Sequence, residues 1–326
     1  MAYNRIGTPK FYIDAVLLAR KLGHIETEDS HGMFYLNPTI TRHFDMLAGG
    51  RQDFQIMFNT RHFCNSMTDV FVLGHTLNTY MLSGTMRDDD NNQVLDIVSG
   101  GSFFTSNGWT KFPLIQHENI NAKELNISLR NLTDDDANNL MCNEFSFCWS
   151  YEMPHTPDLE LTQTFANESL KVQTTKGGHT LTNTGWTQPP KWGHFPQWKR
   201  GSSQVAYPAR RSWNLKFSYL SDSDMMPQYY NEHDVNNNNR GIFERTSVTI
   251  DDPTTFDIDE SSQSFNIKDN FLSKVMPTIN LGLPFIFQPN KDVQEYAICR
   301  VNANSVSLNQ VAHSVYDISL DIVETW

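Results

Sequence analysis

The feature that most constrains the fold of this chain is the one-by-one alternation of apolar and polar residues in several segments. Residues 213–220 show it most clearly, residues 125–129 show it strictly, and residues 314–323 alternate again. A period of two puts one set of side chains on each face of a β-strand, so each segment predicts a buried face and a solvated face. The sequence contains no coiled-coil heptads and no repeat of fixed period. We therefore expect a mainly β protein.

Short β-prone runs predict further strands at residues 54–58, 69–73, 109–115, 144–151, 159–165 and 170–174. Residues 281–287 and 296–301 are expected to pair through a turn at residues 289–292. Near the N-terminus two structures fit the sequence. Phe11-Tyr12-Ile13 favours a strand, whereas Asp14 could cap a short helix that Gly23 would end.

Composition limits the function classes. The 326 residues are 39% hydrophobic, enough for a core in two domains or in one large β domain with insertions. The formal net charge of −12 argues against nucleic-acid binding, because an acidic surface repels phosphate. We find no run of transmembrane length and no signal-peptide pattern, so we expect no membrane contact and maturation in a cytoplasm.

Motifs for catalysis are missing from the sequence. It has no nucleophile elbow, no Walker or dinucleotide glycine pattern, and no H-E-x-x-H. The run at residues 88–92 is interpreted as a solvated loop, because it lacks the glycine and the terminal glutamate of a calcium loop. The run at residues 133–136 is interpreted as the N-terminal cap of a helix that follows it. We therefore expect a non-enzymatic protein with no cofactor and no metal site.

Two other groups of residues are assigned structural roles. The four cysteines form no C-x-x-C pair and are expected to be buried, reduced thiols: Cys64, Cys142, Cys148 and Cys299. His75 follows an apolar run, and we expect it to hydrogen-bond a loop carbonyl rather than to act as a base or a metal ligand.

Long polar stretches at residues 87–93, 183–203 and 222–264 are unusual for a compact domain, and such loops usually serve binding or assembly. The second stretch holds an aromatic loop, and three prolines lie near its aromatic residues. These aromatic residues are Trp186, Trp192, Phe195 and Trp198. Rigid aromatic side chains suit either a subunit interface or the stacking of sugar rings. We favour the interface and add Trp326, which follows the last predicted strand, to the candidate contact residues.

Three segments together resemble known proteins. Residues 71–78 (Phe-Val-Leu-Gly-His-Thr-Leu-Asn) are similar to a strand and loop of the discoidin or galactose-binding-like jelly rolls associated with phage tails. Residues 207–220, in which Arg210 and Arg211 precede an alternating strand, resemble a late strand of the same domains. The ending, with residues 284–287, 310–312 and 322–326, is similar to the close of virion proteins from marine phages.

The resemblance implies a jelly-roll β-sandwich in the tail, baseplate or fibre-attachment region of a bacteriophage. We expect an N-terminal segment at residues 1–50, the jelly roll at 51–220, and a long loop plus a C-terminal β-hairpin region at 221–326. The expected partners are other virion proteins and copies of the chain itself, in a ring or trimer. The expected location is the virion, assembled in the host bacterial cytoplasm. One alternative is a carbohydrate-binding receptor module on a tail fibre that contacts a cell-surface glycan, and another is a capsid-surface or decoration protein.

Overall fold

The computed structural model describes residues 6–29, 32–36, 42–43, 50–59, 62–65, 67–75, 77, 82–88, 93–96, 109–114, 122–130, 141–142, 144–159, 162–166, 170–184, 210–225, 270–302 and 306–325. Antiparallel β-strands dominate these residues, which confirms the predicted mainly β class. Among them, no helix is both long enough and apolar enough to cross a membrane.

The described residues up to Glu152 form eleven strands: β1 Lys10–Asp14, β2 Ile25–Asp29, β3 Arg42–His43, β4 Arg51–Phe58, β5 Asp69–Leu73, β6 Leu82–Arg87, β7 Gln93–Asp96, β8 Trp109–Pro113, β9 Glu124–Arg130, β10 Met141–Cys142 and β11 Glu144–Glu152. The second half contributes β12 Thr162–Ala166, β13 Leu170–Thr174, β14 Thr180–Thr184, β15 Arg210–Ser221, β16 Phe285–Gln288, β17 Ala297–Val301, β18 Ser307–Ala312 and β19 Val315–Glu324. The helices among the described residues are α1 Ala15–Leu22, α2 His62–Asn65, α3 Asp222–Met225, α4 Phe271–Lys274 and α5 Met276–Asn280.

The strands form two main sheets and two separate pairs. The large sheet has ten strands in the order β12-β15-β19-β17-β16-β1-β11-β5-β8, with β18 beside β19. The small sheet has five strands in the order β2-β4-β9-β6-β7. The pairs are β3 with β10 and β13 with β14.

The strands of the first half pair in a nested pattern. Strand β1 pairs with β11, β3 with β10, β4 with β9, β5 with β8, and β6 with β7, so each pair encloses the next one along the chain. The pairs β1–β11 and β5–β8 belong to the large sheet, while β4–β9 and β6–β7 belong to the small sheet. One long antiparallel hairpin is thus divided between the two sheets.

A large cluster of buried apolar side chains joins these sheets. Phe54, Ile56 and Phe58 point inward from the small sheet, and they share a cluster of buried side chains with Phe145 and Phe147 of the large sheet. The rings of Phe54 and Phe145 are 6.5 Å apart. Burial of one such side chain contributes about 1.5–3 kcal/mol. The arrangement is consistent with a β-sandwich.

Both the strand and the helix that fit the N-terminal sequence occur, and the helix follows the strand directly. Strand β1 ends at Asp14, whose carboxylate accepts a hydrogen bond from the Leu17 backbone N–H at 2.7 Å and so caps α1. Gly23 ends the helix with φ 78°, a left-handed conformation that costs glycine little. β1 pairs with β11 on one side and with β16 on the other. The predicted N-terminal segment, 1–50, therefore contributes a strand to the large sheet.

The C-terminal strands largely follow the sequence pattern. In β15, Trp213, Leu215 and Phe217 are buried. Strands β16 and β17 pair as predicted, although β16 begins only at Phe285 because the preceding residues form a turn with Gly282 at φ 63°. β12 begins at Thr162 rather than at the predicted residue 159, and Leu159 is fully exposed.

Candidate interaction surfaces

The aromatic residues predicted to make contacts lie outside the described residues: Trp186, Trp192, Phe195, Trp198 and Trp326. The two aspartate runs also fall largely outside them. The described residues form four candidate interaction surfaces. They are a groove on the small sheet, a pocket on the large sheet, the exposed Tyr219 of β15 together with the exposed strand β18, and the β13–β14 hairpin.

The groove lies on the outer face of the small sheet and has a volume of about 760 Å³. It forms because β4 turns Asp53, Gln55 and Met57 outward while their neighbours enter the core. Polar residues of β6 and β9 complete the lining, including Thr85, Asn126 and Arg130. The sequence alternation of β4 and β9 predicted a solvated face here, but it did not predict a cavity.

Hydrogen bonds connect the side chains of the groove. Arg51 donates from Nε to Asp53 Oδ1 at 2.6 Å and from Nη2 to Ser128 Oγ at 3.0 Å. Gln55 Nε2 donates to Glu124 Oε1 at 2.9 Å. Partial burial raises the pKa of Asp53, but hydrogen bonds from Ser128 and Arg51 and the Arg51 charge outweigh it and hold that pKa below its ordinary value. The groove can therefore offer charged and amide hydrogen-bonding groups to a polar ligand or protein surface.

A smaller pocket of about 350 Å³ lies on the outer face of the large sheet. Its floor contains Tyr12, whose hydroxyl donates to Gln288 Oε1 at 2.7 Å, and Tyr296, whose ring centroid is 6.0 Å from that of Tyr12. Lys111 Nζ lies 2.7 Å from Asp69 Oδ1 and 5.0 Å from the Tyr12 ring centroid. Burial raises the pKa of both tyrosines, so their hydroxyls stay protonated at neutral pH.

His75 is a titratable group in the interior of the protein. His75 is 4% exposed, and its Nε2 lies 3.0 Å from the Thr110 hydroxyl. Burial lowers the pKa of His75 to about 4, although a hydrogen bond with the Leu77 backbone acts in the opposite direction. Such a histidine is neutral at neutral pH. Within the described ranges, no group of three or more His, Cys, Asp or Glu side chains could hold a metal ion.

All four cysteines are buried and none takes part in a disulfide. Burial raises the pKa of each thiol. A thiol needs to ionise to act as a nucleophile, so this burial suits side chains that fill the core. The burial predicted for the cysteines is confirmed.

One exposed aromatic side chain lies on β15. A β-bulge between Phe217 and Leu220 gives Tyr219 a positive φ of 61° and leaves it 83% exposed. Tyr219 donates its backbone N–H to Asp317 Oδ1 at 3.2 Å. Nearby, every residue of β18 is exposed, including Val311 at 51%. The sequence did not predict the exposure of Tyr219, because strict alternation would place its side chain on the buried face of β15, together with that of Trp213.

No family model matches the sequence, and no curated protein matches it. Among solved structures, it is similar to a DUF4466 family protein from Parabacteroides merdae, with 10% identity over 86% of this chain and 95% of that chain. The TM-score of that match is 0.18, which does not establish a shared fold.

Proposed function

We propose that this chain is a non-enzymatic structural component of a bacteriophage particle, located in the tail, baseplate or fibre-attachment region, that acts by packing against other virion subunits. The observation that carries the proposal is the nested strand pairing divided between two packed sheets. Four of these pairs, β1–β11, β4–β9, β5–β8 and β6–β7, place eight strands in the two main sheets, and this order supports a jelly roll. The jelly roll is an architecture found in viral capsid domains, lectins and cupins.

The same pairing supports bounds for the jelly roll that differ from the expected residues 51–220. Its first strand would be β1, beginning at Lys10, and its last would be β11, ending at Glu152. The C-terminal strands would then extend one sheet of the jelly roll, because β16 adds to the free side of β1.

The interior between the two sheets favours a scaffold over a binding or catalytic barrel. Large apolar side chains fill it where the sheets face each other, including Phe34, Phe54, Phe145 and Phe147. Interaction with other molecules would therefore take place on the outer surfaces. The exposed strand β18 and the exposed Tyr219 are surfaces of the kind that a neighbouring subunit covers.

A second candidate function is carbohydrate binding. It is favoured by the groove on the small sheet, because guanidinium, amide and hydroxyl groups of Arg51, Gln55 and Ser128 converge there. Lectins are among the proteins that use the jelly roll. The groove offers few apolar contacts, since Met57 is its main apolar side chain, and this ranks the function second.

The test of the main proposal is the presence and position of the chain in purified phage particles. Quantitative mass spectrometry should find it at a fixed number of copies per particle, and antibody labelling in electron microscopy should place it at the tail or baseplate. Labelling of the head would move the proposed location to the capsid surface. A chain that is made in infected cells but is missing from particles would refute a virion role.

The carbohydrate alternative has its own test, which is a glycan array with the purified chain and an Arg51→Ala/Gln55→Ala variant. Lys216→Ala, an exposed change on β15 outside the groove, is the matched control. Binding that the control keeps and the groove variant loses would favour the carbohydrate function. An array without any hit for the wild type would count against it.

A further inference from the structure

We propose that the β13–β14 hairpin is a docking arm that binds the acidic surface of a second copy of this chain. The inference rests on the proposed function as an assembly subunit and names the part of the chain that makes one subunit contact. The hairpin is exposed, is separate from the two main sheets, and carries a charge opposite to that of the whole chain.

The hairpin is well formed. Its five cross-strand pairs run from Leu170 opposite Thr184 to Thr174 opposite Thr180. At the turn, the Thr175 backbone N–H donates to the His179 carbonyl at 2.8 Å, and Gly178 has φ 82°. A glycine suits this position because its φ is left-handed. The segment therefore has a defined shape that it could present to a partner.

Nothing within the described part of the chain covers this hairpin. Every residue from 171 to 182 is exposed, and the two large apolar side chains, Val172 and Leu181, are 57% and 58% exposed. Its two strands form a sheet of their own, apart from the large and small sheets. A two-stranded hairpin alone is marginally stable in water, so a contact with another surface would stabilise it.

The charge of the hairpin is opposite to that of the whole chain. Residues 170–184 contain Lys171, Lys176 and His179 and no acidic residue, whereas the chain carries a formal net charge of −12. Opposite charges of this kind steer one surface towards another and fix the orientation of the contact. The acidic remainder of a second copy is thus a partner whose charge is opposite to that of the hairpin.

Other occupants fit less well. Two lysines provide few phosphate contacts for a nucleic acid, and the acidic chain around them would oppose its approach. A contact between the hairpin of one copy and a different surface of the next is heterologous, and it repeats around a ring when the rotation closes. The expected ring or trimer would have this kind of contact.

The first experiment measures self-association of the full chain by analytical ultracentrifugation and native mass spectrometry at low and high salt. The wild type should form oligomers that weaken as salt rises. Lys171→Glu/Lys176→Glu should weaken the association at least tenfold. The control Lys21→Glu/Arg300→Glu makes the same change in net charge at exposed positions in α1 and β17, and it should leave the association within about twofold of the wild type.

The second experiment identifies the partner by carbodiimide cross-linking of a mixture of ¹⁴N- and ¹⁵N-labelled chains. Cross-links from Lys171 or Lys176 to acidic residues should contain one light and one heavy peptide, which shows that they join two copies. Val172→Thr/Leu181→Thr keeps β-prone side chains while it removes the apolar contacts, and it should also weaken the oligomer. Circular dichroism of each variant checks that the β-sheets remain.

Two results would overturn the inference: a wild type that stays monomeric at every salt concentration, or a hairpin variant that associates as strongly as the charge control. The proposed function would survive either result if the chain is still found in particles. Conversely, a chain that associates through its hairpin but is missing from particles would keep the inference and reject the virion role.

Discussion

Arg211 and Glu324 form an ion pair in the interior of the protein. Arg211 Nη2 lies 2.9 Å from Glu324 Oε1, Arg211 Nε lies 3.0 Å from Oε2, and the side chains are 1% and 2% exposed. Arg211 Nη1 also donates to Glu295 Oε1 at 2.6 Å, and the Arg211 backbone N–H donates to Glu324 at 3.0 Å. The pair thus joins β15, β19 and the segment that precedes β17.

Glu324→Ala should lower the free energy of unfolding by about 3–5 kcal/mol, because it leaves the Arg211 charge buried with part of its compensation removed. Chemical denaturation measures the loss. Lys216→Ala is the control, since it breaks the pair between Lys216 Nζ and Asp317 Oδ2, which are 3.9 Å apart near the surface, and leaves the hydrogen bond from Tyr219 to Asp317 in place. That change should cost no more than about 1 kcal/mol. Equal losses in the two variants would contradict the structural role of the buried pair.

Asp14→Asn should stabilise the protein relative to wild type as the pH rises. Burial raises the pKa of Asp14 to about 6, against hydrogen bonds from Leu17 and Ser146 that lower it. The folded state therefore holds the proton more tightly than the unfolded chain, and the stability that this proton provides is lost as the pH rises from about 4 to above 6. Asparagine keeps an oxygen for the helix cap and has no charge to bury.

Denaturation curves of wild type and Asp14→Asn at pH 4, 5, 6 and 7 measure the effect. The stability of the variant relative to wild type should rise by up to about 3 kcal/mol across this range. A difference between the two proteins that does not change with pH would show that Asp14 does not titrate in this way.

His75→Gln should protect the protein against acid. Burial lowers the pKa of His75 to about 4, so the unfolded chain binds a proton that the folded state excludes between pH 6.5 and 4. Wild type should therefore lose up to about 3 kcal/mol relative to the variant as the pH falls through this window. Glutamine keeps a group that can hydrogen-bond the Thr110 hydroxyl. Parallel pH profiles for wild type and variant would refute the prediction.

Tyr219→Gly should stabilise the protein by about 1 kcal/mol, which is opposite to the usual effect of glycine in a strand. A bulky residue at φ 61° carries backbone strain, and an 83% exposed side chain loses little burial when it is removed. Lys216→Gly, at an exposed and regularly paired position of the same strand, should instead destabilise by about 0.5–1 kcal/mol. Thermal or urea unfolding distinguishes the signs, and destabilisation by both changes would contradict the strain.

The mainly β class and most strand positions followed from the sequence, because alternation is a local property of each strand. Trp213, Leu215 and Phe217 illustrate this, since all three are buried as their spacing requires. Tyr219 departs from the pattern because the β-bulge shifts the register by one residue, and only the pairing with β19 reveals the bulge. The exposed hairpin was predicted as strand in part, at residues 170–174, but its isolation was not.

The sequence by itself determined the mainly β class, the positions of the strands that alternate most clearly, and the burial of the cysteines, because backbone preference and hydropathy act over a few neighbouring residues. At the N-terminus it allowed both a strand and a helix capped by Asp14 without deciding between them. Only the tertiary structure decided that β1 pairs with β11 and β16, that Arg211 meets Glu324, and that polar side chains of β4, β6 and β9 enclose a groove. These contacts join positions far apart in the chain, and Arg211 and Glu324 are separated by 113 positions. Their formation depends on how the sheets stack and register against each other, which no local pattern encodes.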